Sequence, residues 1–295
     1  MTSVGGLAYS LYPENEEWLG MTMLGMAIWV PALLALLLLV IDVRKLLARW
    51  IPIDPENRVH TGALTLSMLI VICSGLTLSI GMENLSLAVP SLDFWEAMAF
   101  LRFQNLLLLM LSLLGVGWLI RRSGQEVLKR LGFTQPSPGA VFRGVVVGLV
   151  LTVVAAFADQ LASNVQWQYD LYVELLTEKW TGPLLTSPMG ILSLGLAAIG
   201  EETLFRGALQ PRFGLLLTSV LFTLFHFHYG LSVATLVVLL LGLCLGWVRQ
   251  REGMVMCMVI HATYNIGSGV WSLYMGSLRK NRPGGSEETH AKRMR

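Results

Sequence analysis

The chain has 295 residues, of which 54% are hydrophobic and only 14% charged, with a formal net charge of +2. A soluble domain carries about 25% charged residues, and the mean hydropathy here is +0.63. This balance excludes a soluble globular fold and predicts an all-α, polytopic integral membrane bundle; nothing in it points to a nucleic-acid partner. Cys73, Cys244 and Cys257 lie singly in apolar runs, in neither a disulfide framework nor a CxxC zinc pattern. The first twenty residues hold Glu14, Glu16 and Glu17 but no Lys or Arg, which argues against a cleaved signal peptide.

Crossing roughly 30 Å of hydrocarbon takes about 17–25 helical residues. Eight apolar runs are read as spans: 21–43, 61–82, 100–120, 140–161, 187–206, 213–229, 231–248 and 254–275. Pro31 lies inside the first and predicts a kink there. The polar connectors at 44–60 and 121–139 separate the early spans, the second with a Pro136-Ser137-Pro138 break suited to a turn. Trp167, Trp180, Trp247 and Trp271 fall near span ends, as in an aromatic belt.

Charge sets an expected orientation. Arg44, Lys45, Arg49 and Arg58 follow span one, Arg121, Arg122, Lys129 and Arg130 follow span three, Arg212 follows span five, and Arg249 and Arg251 follow span seven. The alternate connectors carry Glu83, Asp93 and Glu96, then Asp159, Asp170, Glu174 and Glu178. The positive-inside rule puts the basic connectors in the cytoplasm and the N-terminus outside. The tail disagrees: Arg279, Lys280, Arg282, Lys292, Arg293 and Arg295 would lie outside after eight spans. Either the last helix re-enters or the count is off by one.

Polar residues inside membrane segments are functional candidates by default. Glu201 and Glu202 end the apolar run 189–200, and Arg206 completes Glu-Glu-x-x-x-Arg; His226, His261 and Asn265 interrupt later runs. At a rise of 1.5 Å per residue from the basic ends, Glu201 sits about 17 Å deep, His226 about 20 Å and His261 about 12 Å. One layer holds them all, opening towards the cytoplasmic side. Residues four apart share a helical face, so Glu202 pairs with Arg206 while Glu201 points about 100° away. Phe222 and His226 share a face, as do His261 and Asn265. The expected chemistry is hydrolysis: Glu201, helped by His226, deprotonates a water that attacks a peptide carbonyl. His261 and Asn265 donate to the developing oxyanion. His228 lies about 200° around the helix from His226 and suits a loop-end or interfacial role. The Gly242/Gly246 GxxxG spacing permits close helix packing, with a dimer contact as the alternative.

The segments Glu201-Glu202-Thr203-Leu204-Phe205-Arg206, Phe222-Thr223-Leu224-Phe225-His226 and His261-Ala262-Thr263-Tyr264-Asn265 resemble the EExxxR, FxxxH and HxxxN motifs of the CPBP family. These are the CAAX prenyl endopeptidases and bacteriocin-processing relatives, also called the Abi family. The resemblance implies an all-helical intramembrane endopeptidase acting on a membrane-associated protein or peptide. Its first glutamate and FxxxH histidine would activate water, and its last motif would support the oxyanion. The expected division is 1–140 as variable N-terminal helices, 141–184 as a further helix and external connector, 185–276 as the catalytic helices, and 277–295 as a disordered basic tail.

No cofactor is expected. Zinc is the alternative, since Glu201, Glu202, His226, His228 and His261 offer enough ligands. Against it stand the absence of HExxH and Arg206 beside the carboxylates. Two other classes bury such groups. A proton-coupled transporter would show broken helices in corresponding halves, which are not visible, and an idle scaffold or immunity-type binding protein would survive loss of Glu201. Nothing in the sequence fixes the oligomeric state.

Overall fold

A computed structural model describes residues 17–165 and 168–280; Trp167 and residues 281–295 of the basic tail lie outside them. Among the described residues every regular element is helical, beside one isolated bridge between Trp118 and Arg122. The helices are α1 (Glu17–Leu37), α2 (Ile41–Leu47), α3 (Arg58–Ile80), α4 (Met82–Ala88), α5 (Phe94–Gly115), α6 (Gly124–Leu131), α7 (Pro138–Val165), α8 (Gln168–Trp180), α9 (Gly182–Leu185) and α10 (Pro188–Glu202). A π-helical segment (Thr203–Leu209) leads into α11 (Gln210–Phe225), a 3₁₀ turn (Phe227–Tyr229), α12 (Val233–Arg251) and α13 (Met254–Lys280). Hydrocarbon offers no partner for backbone groups, so long Leu-, Val- and Ala-rich runs can only close their hydrogen bonds as helices. Polar residues mark the starts. Asp93 and Glu96 form a capping box on α5, and Ser187 caps α10 ahead of Pro188.

The apolar surface is large. Phe103, Leu106, Phe157, Leu216 and Leu240 all stand more than half exposed. In water such a surface would aggregate; around helices of this length it is the lipid-facing girdle of an integral membrane protein. The interior is instead built around Phe205, Phe213, Phe222, Leu245, Cys257 and Ile260, each buried.

Among the described residues, length and hydropathy alone qualify five helical runs as spans, or six with the bent α1–α2 pair, and do not confirm the expected eight. Two causes account for the difference. The expected spans 187–206 and 213–229 form one helical run, Pro188–Phe225, and α13 is made less apolar by His261, Tyr264 and Asn265. The run Pro188–Phe225 is nevertheless not straight. Gly214 has φ 75° and ψ 175°, and the Phe205 and Phe222 ring centroids lie 5.2 Å apart, although 17 residues of straight helix would separate them by about 25 Å. The chain therefore turns back at Gly214, giving two antiparallel arms.

The kink expected at Pro31 lies elsewhere. α1 runs through Pro31 to Leu37 and then bends by 96° into α2. Arg44 holds that corner, donating to the carbonyls of Leu38 (2.9 Å), Leu39 (2.7 Å) and Pro55 (2.7 Å). A guanidinium that satisfies three freed carbonyls fixes the break there. α13 likewise continues through residues 277–280, the start of the segment expected to be a disordered tail.

The basic connectors gather at one end. Arg212 lies in the electrostatic range of Arg121 and Arg122, Arg249 donates to the Leu131 carbonyl at 3.0 Å, and Arg143 pairs with Glu252 at 3.6 Å. Elsewhere, in the connectors expected on the opposite side, Lys179 Nζ donates to the carbonyls of Ser86 and Val89, both at 2.7 Å.

The Gly214 hairpin generates a stability prediction. Its φ/ψ pair is essentially reserved for glycine, so Gly214→Val should cost about 1–3 kcal/mol. Gly62, in α3 with nothing near its missing Cβ, should accept alanine at no loss. Thermal unfolding in detergent compares the two; equal midpoints would contradict the hairpin.

Candidate active site

Three arms deliver the polar residues to one place. α10 ends in Glu201 and Glu202, and the π-helical segment that follows carries Arg206. Single π turns inside α-helical runs are rare and concentrate at functional sites. The returning arm α11 brings Phe222 and, just past its end, His226; α13 brings His261 and Asn265.

Glu202 and Arg206 form the sealed half of the site. Both side chains are 0% exposed, and Arg206 Nε lies 3.4 Å from Glu202 Oε2, an ion-pair distance without hydrogen-bond alignment. The other carboxylate oxygen, Oε1, accepts from His261 Nδ1 at 2.8 Å. The guanidinium also lies 4.3 Å from the Phe222 ring centroid and donates to the Gly242 carbonyl at 3.3 Å. A cation over an aromatic face is attracted by the ring quadrupole, most strongly where water is excluded. The expected Glu202–Arg206 pairing is therefore present, and Phe222 forms its lid.

Glu201 occupies the other side, as the 100° rotation implies. Its Oε2 faces His226 Nε2 at 3.8 Å and His261 Nε2 at 3.9 Å. The side chain of His226 is 16% exposed and that of Glu201 8%, so the outer edge of the cluster lies at His226 and Glu201 rather than at the ion pair. His226 Nδ1 lies 2.8 Å from the Phe222 carbonyl. A carbonyl only accepts, so the proton sits on Nδ1 and Nε2 presents its lone pair to Glu201 in the neutral ring. His261 is arranged alike: Nδ1–H is spent on Glu202 and Nε2 looks at Glu201.

Asn265 is placed differently from the rest. Its Nδ2 donates to the Leu194 carbonyl at 3.1 Å, one helical turn along α13 from His261. That bond uses one amide hydrogen and leaves a second. His228 lies in the 3₁₀ turn, with ring centroids 4.2 Å from Tyr229 and 5.8 Å from Trp180, a packing role at the turn. Among the described residues, no group of three or more His, Cys, Asp or Glu is gathered as metal ligands would be.

Sequence reasoning missed Gln210 and the use made of the glycine pair. Gln210 Nε2 donates to the Gly246 carbonyl at 2.7 Å, one turn from the Arg206–Gly242 contact. Arg206 and Gln210 thus bond the two glycine carbonyls of the GxxxG motif, which serves a contact within the chain. A Cβ on Gly246 would stand 2.3 Å from Leu215 Cδ1. The signal was visible: two i, i+4 donors matched to two i, i+4 small residues.

The sealed ion pair makes a prediction. Arg206→Met leaves the Glu202 charge buried without its partner and should cost about 3–5 kcal/mol. Adding Glu202→Gln removes the orphaned charge and should recover part of that loss. Unfolding in detergent measures both; an additive double variant would show that the two side chains do not interact.

Residues 183–267 match the family model of Rce1-like proteins, described as type II CAAX prenyl endopeptidase Rce1-like. No curated protein and no solved structure matches the chain. The matched stretch holds Glu201, Glu202, Arg206, Phe222, His226, His261 and Asn265. The apolar helices mark an integral membrane protein, and the match sets its similarity to the CAAX-type proteases over 183–267. The stretch that carries the site is thus similar to the Rce1-like family, in agreement with the CPBP resemblance of its three motifs.

Proposed function

We propose that this protein is an intramembrane endopeptidase in which Glu201 and His226 hold and deprotonate the attacking water. The observation that carries the reading is the meeting of Glu201 Oε2 with the Nε2 atoms of His226 and His261 at 3.8 and 3.9 Å. That spacing is too long for a direct hydrogen bond and leaves room for a water bridging Glu201 and His226. The water oxygen bonds to the peptide carbonyl carbon while its proton passes to the Glu201–His226 pair. The carbonyl π electrons move onto oxygen, and the C–N bond then breaks as the same proton is returned to the leaving nitrogen.

His261 and Asn265 are assigned to the oxyanion. His261, its Nδ1–H held by Glu202, serves as a donor through a proton on Nε2. That proton is the donor an oxyanion needs, and Glu202 orients the ring as the carboxylate of a catalytic triad does. The second Asn265 amide hydrogen is the other donor. Glu202, Arg206 and Phe222 position the ring and the helices.

The family match supports substrates cleaved near the C-terminus of prenylated or otherwise membrane-associated proteins. The gathering of basic connectors supports a cytoplasmic opening. We assign the catalytic unit to 185–276, with 1–140 and 141–184 as supporting helices and 277–295 as a basic tail, and we assign no metal to the reaction.

Two outcomes test this reading with purified protein and a peptide library that includes prenylated C-terminal members, read by mass spectrometry. Glu201→Gln and His226→Ala should each lower cleavage by about 10²–10⁴-fold with unchanged folding, and His261→Ala by about 10²–10³-fold. Full cleavage by Glu201→Gln would overturn the assignment. Chelator should leave wild-type cleavage intact, whereas loss restored by zinc would replace the water-activating pair with a metal.

A further inference from the structure

Asn105 lies on α5, outside the stretch that matches the family model. Its neighbours Phe103, Leu106 and Leu107 are exposed on the lipid-facing girdle. An amide in such a helix is costly unless its donors and acceptor are used. Asn105 uses them on α10. Its Oδ1 accepts from the Gly200 backbone N–H at 2.8 Å, and its Nδ2 donates to the Leu196 carbonyl at 3.4 Å. Gly200 and Leu196 are an i, i−4 pair, the two groups that an α-helix bonds to one another. One side chain from another helix therefore engages both members of a helical rung.

The rung is the last before the site. Glu201 is the next residue, and the helix changes to π geometry at Thr203. Gly200 is required for the approach, because a Cβ there would stand 2.1 Å from Asn105 Oδ1 and 2.8 Å from the Asn105 carbonyl oxygen. A side chain inserted at a helical rung is a recognised cause of local bending and rotation. A carboxylate on a helix of 10–12 Å overall diameter moves by about 1 Å for a 10° rotation of its turn. A displacement of that size is enough to cost on the order of 100-fold in rate.

We propose that Asn105 is a positioning residue for Glu201: it clamps the Leu196–Gly200 rung and so sets the rotation that aims Glu201 at His226 and His261. This deepens the reading of Glu201 as the group that holds the water. The motif helices thus depend on a contact from the N-terminal part of the chain. Asn105 touches no reacting atom in this account. Its effect passes through the backbone of α10.

The test compares wild type, Asn105→Leu, Asn105→Gln and Glu201→Gln on a peptide that the wild type cleaves. Leucine keeps the size and suits lipid, and the freed N–H and carbonyl can bond each other, so folding is retained. Asn105→Leu should lower kcat by about ten-fold or more with KM changed less than about two-fold and an unchanged unfolding midpoint. Asn105→Gln, which offers the same donor and acceptor on a longer arm, should recover part of the loss. Wild-type kcat in Asn105→Leu beside an inactive Glu201→Gln overturns the clamp alone, while an active Glu201→Gln overturns the water-holding reading. A loss confined to KM, or one that follows the amount of folded protein and is equal in Asn105→Gln, assigns Asn105 a merely structural role. A readout free of turnover is the Gly200 amide in protein labelled with ¹⁵N-glycine. Its resonance should move in Asn105→Leu while that of Gly62 stays; an unmoved Gly200 signal overturns the contact.

Discussion

Burying Glu202 and Arg206 at 0% exposure is the constraint from which the rest of the site follows. Two charges in a membrane interior are tolerable only if they pair, and each partner found for a further donor or lone pair lowers the cost. The pair therefore recruits from three directions. Arg206 takes the Phe222 face and the Gly242 carbonyl, and its own carbonyl accepts from Arg249 at 3.2 Å. Glu202 takes His261. Each recruitment fixes a helix, and together they bring α11, α12 and α13 against the end of α10. Glu201, one residue before and about 100° around, is left facing the histidines. The structural carboxylate and the proposed reactive one are neighbours in sequence with opposite roles because helical geometry separates them.

Helices in lipid gain little from apolar burial against each other, since hydrocarbon is as apolar as leucine. Close backbone approach and interhelical hydrogen bonds do that work here. Gly242 and Gly246 expose their carbonyls to Arg206 and Gln210, Gly200 admits Asn105, and Asn265 reaches the Leu194 carbonyl. The apolar surface has a separate task, which is to hold the bundle in the bilayer while the polar contacts set its geometry.

The site was legible in the sequence to the extent that helical periodicity determines it. The i, i+4 relation paired Glu202 with Arg206, and depth arithmetic put Glu201, His226 and His261 in one layer; the structure brings those residues together. Two of the amide contacts were not legible. Asn105 and Asn265 stand in apolar runs with nothing local to say which neighbouring helix supplies the carbonyl. The bends were not legible for a related reason. Hydropathy measures length of apolar chain, whereas the positive-φ turn at Gly214 and the corner held by Arg44 are tertiary events. Pro31 was the visible helix breaker, yet a missing N–H within a long apolar helix is tolerated, and the corner formed where a guanidinium could satisfy freed carbonyls.

In the proposed mechanism water, held by Glu201 and His226, is the direct nucleophile. Cleavage of a defined peptide in H₂¹⁸O with hydroxylamine present tests it most directly, read by mass spectrometry of the new C-terminus and of the intact protein. Direct attack by water gives one solvent oxygen in the new carboxylate, no hydroxamate and no acylated enzyme at any time. A hydroxamate product, or a peptide adduct on the protein, would show a covalent intermediate and contradict it.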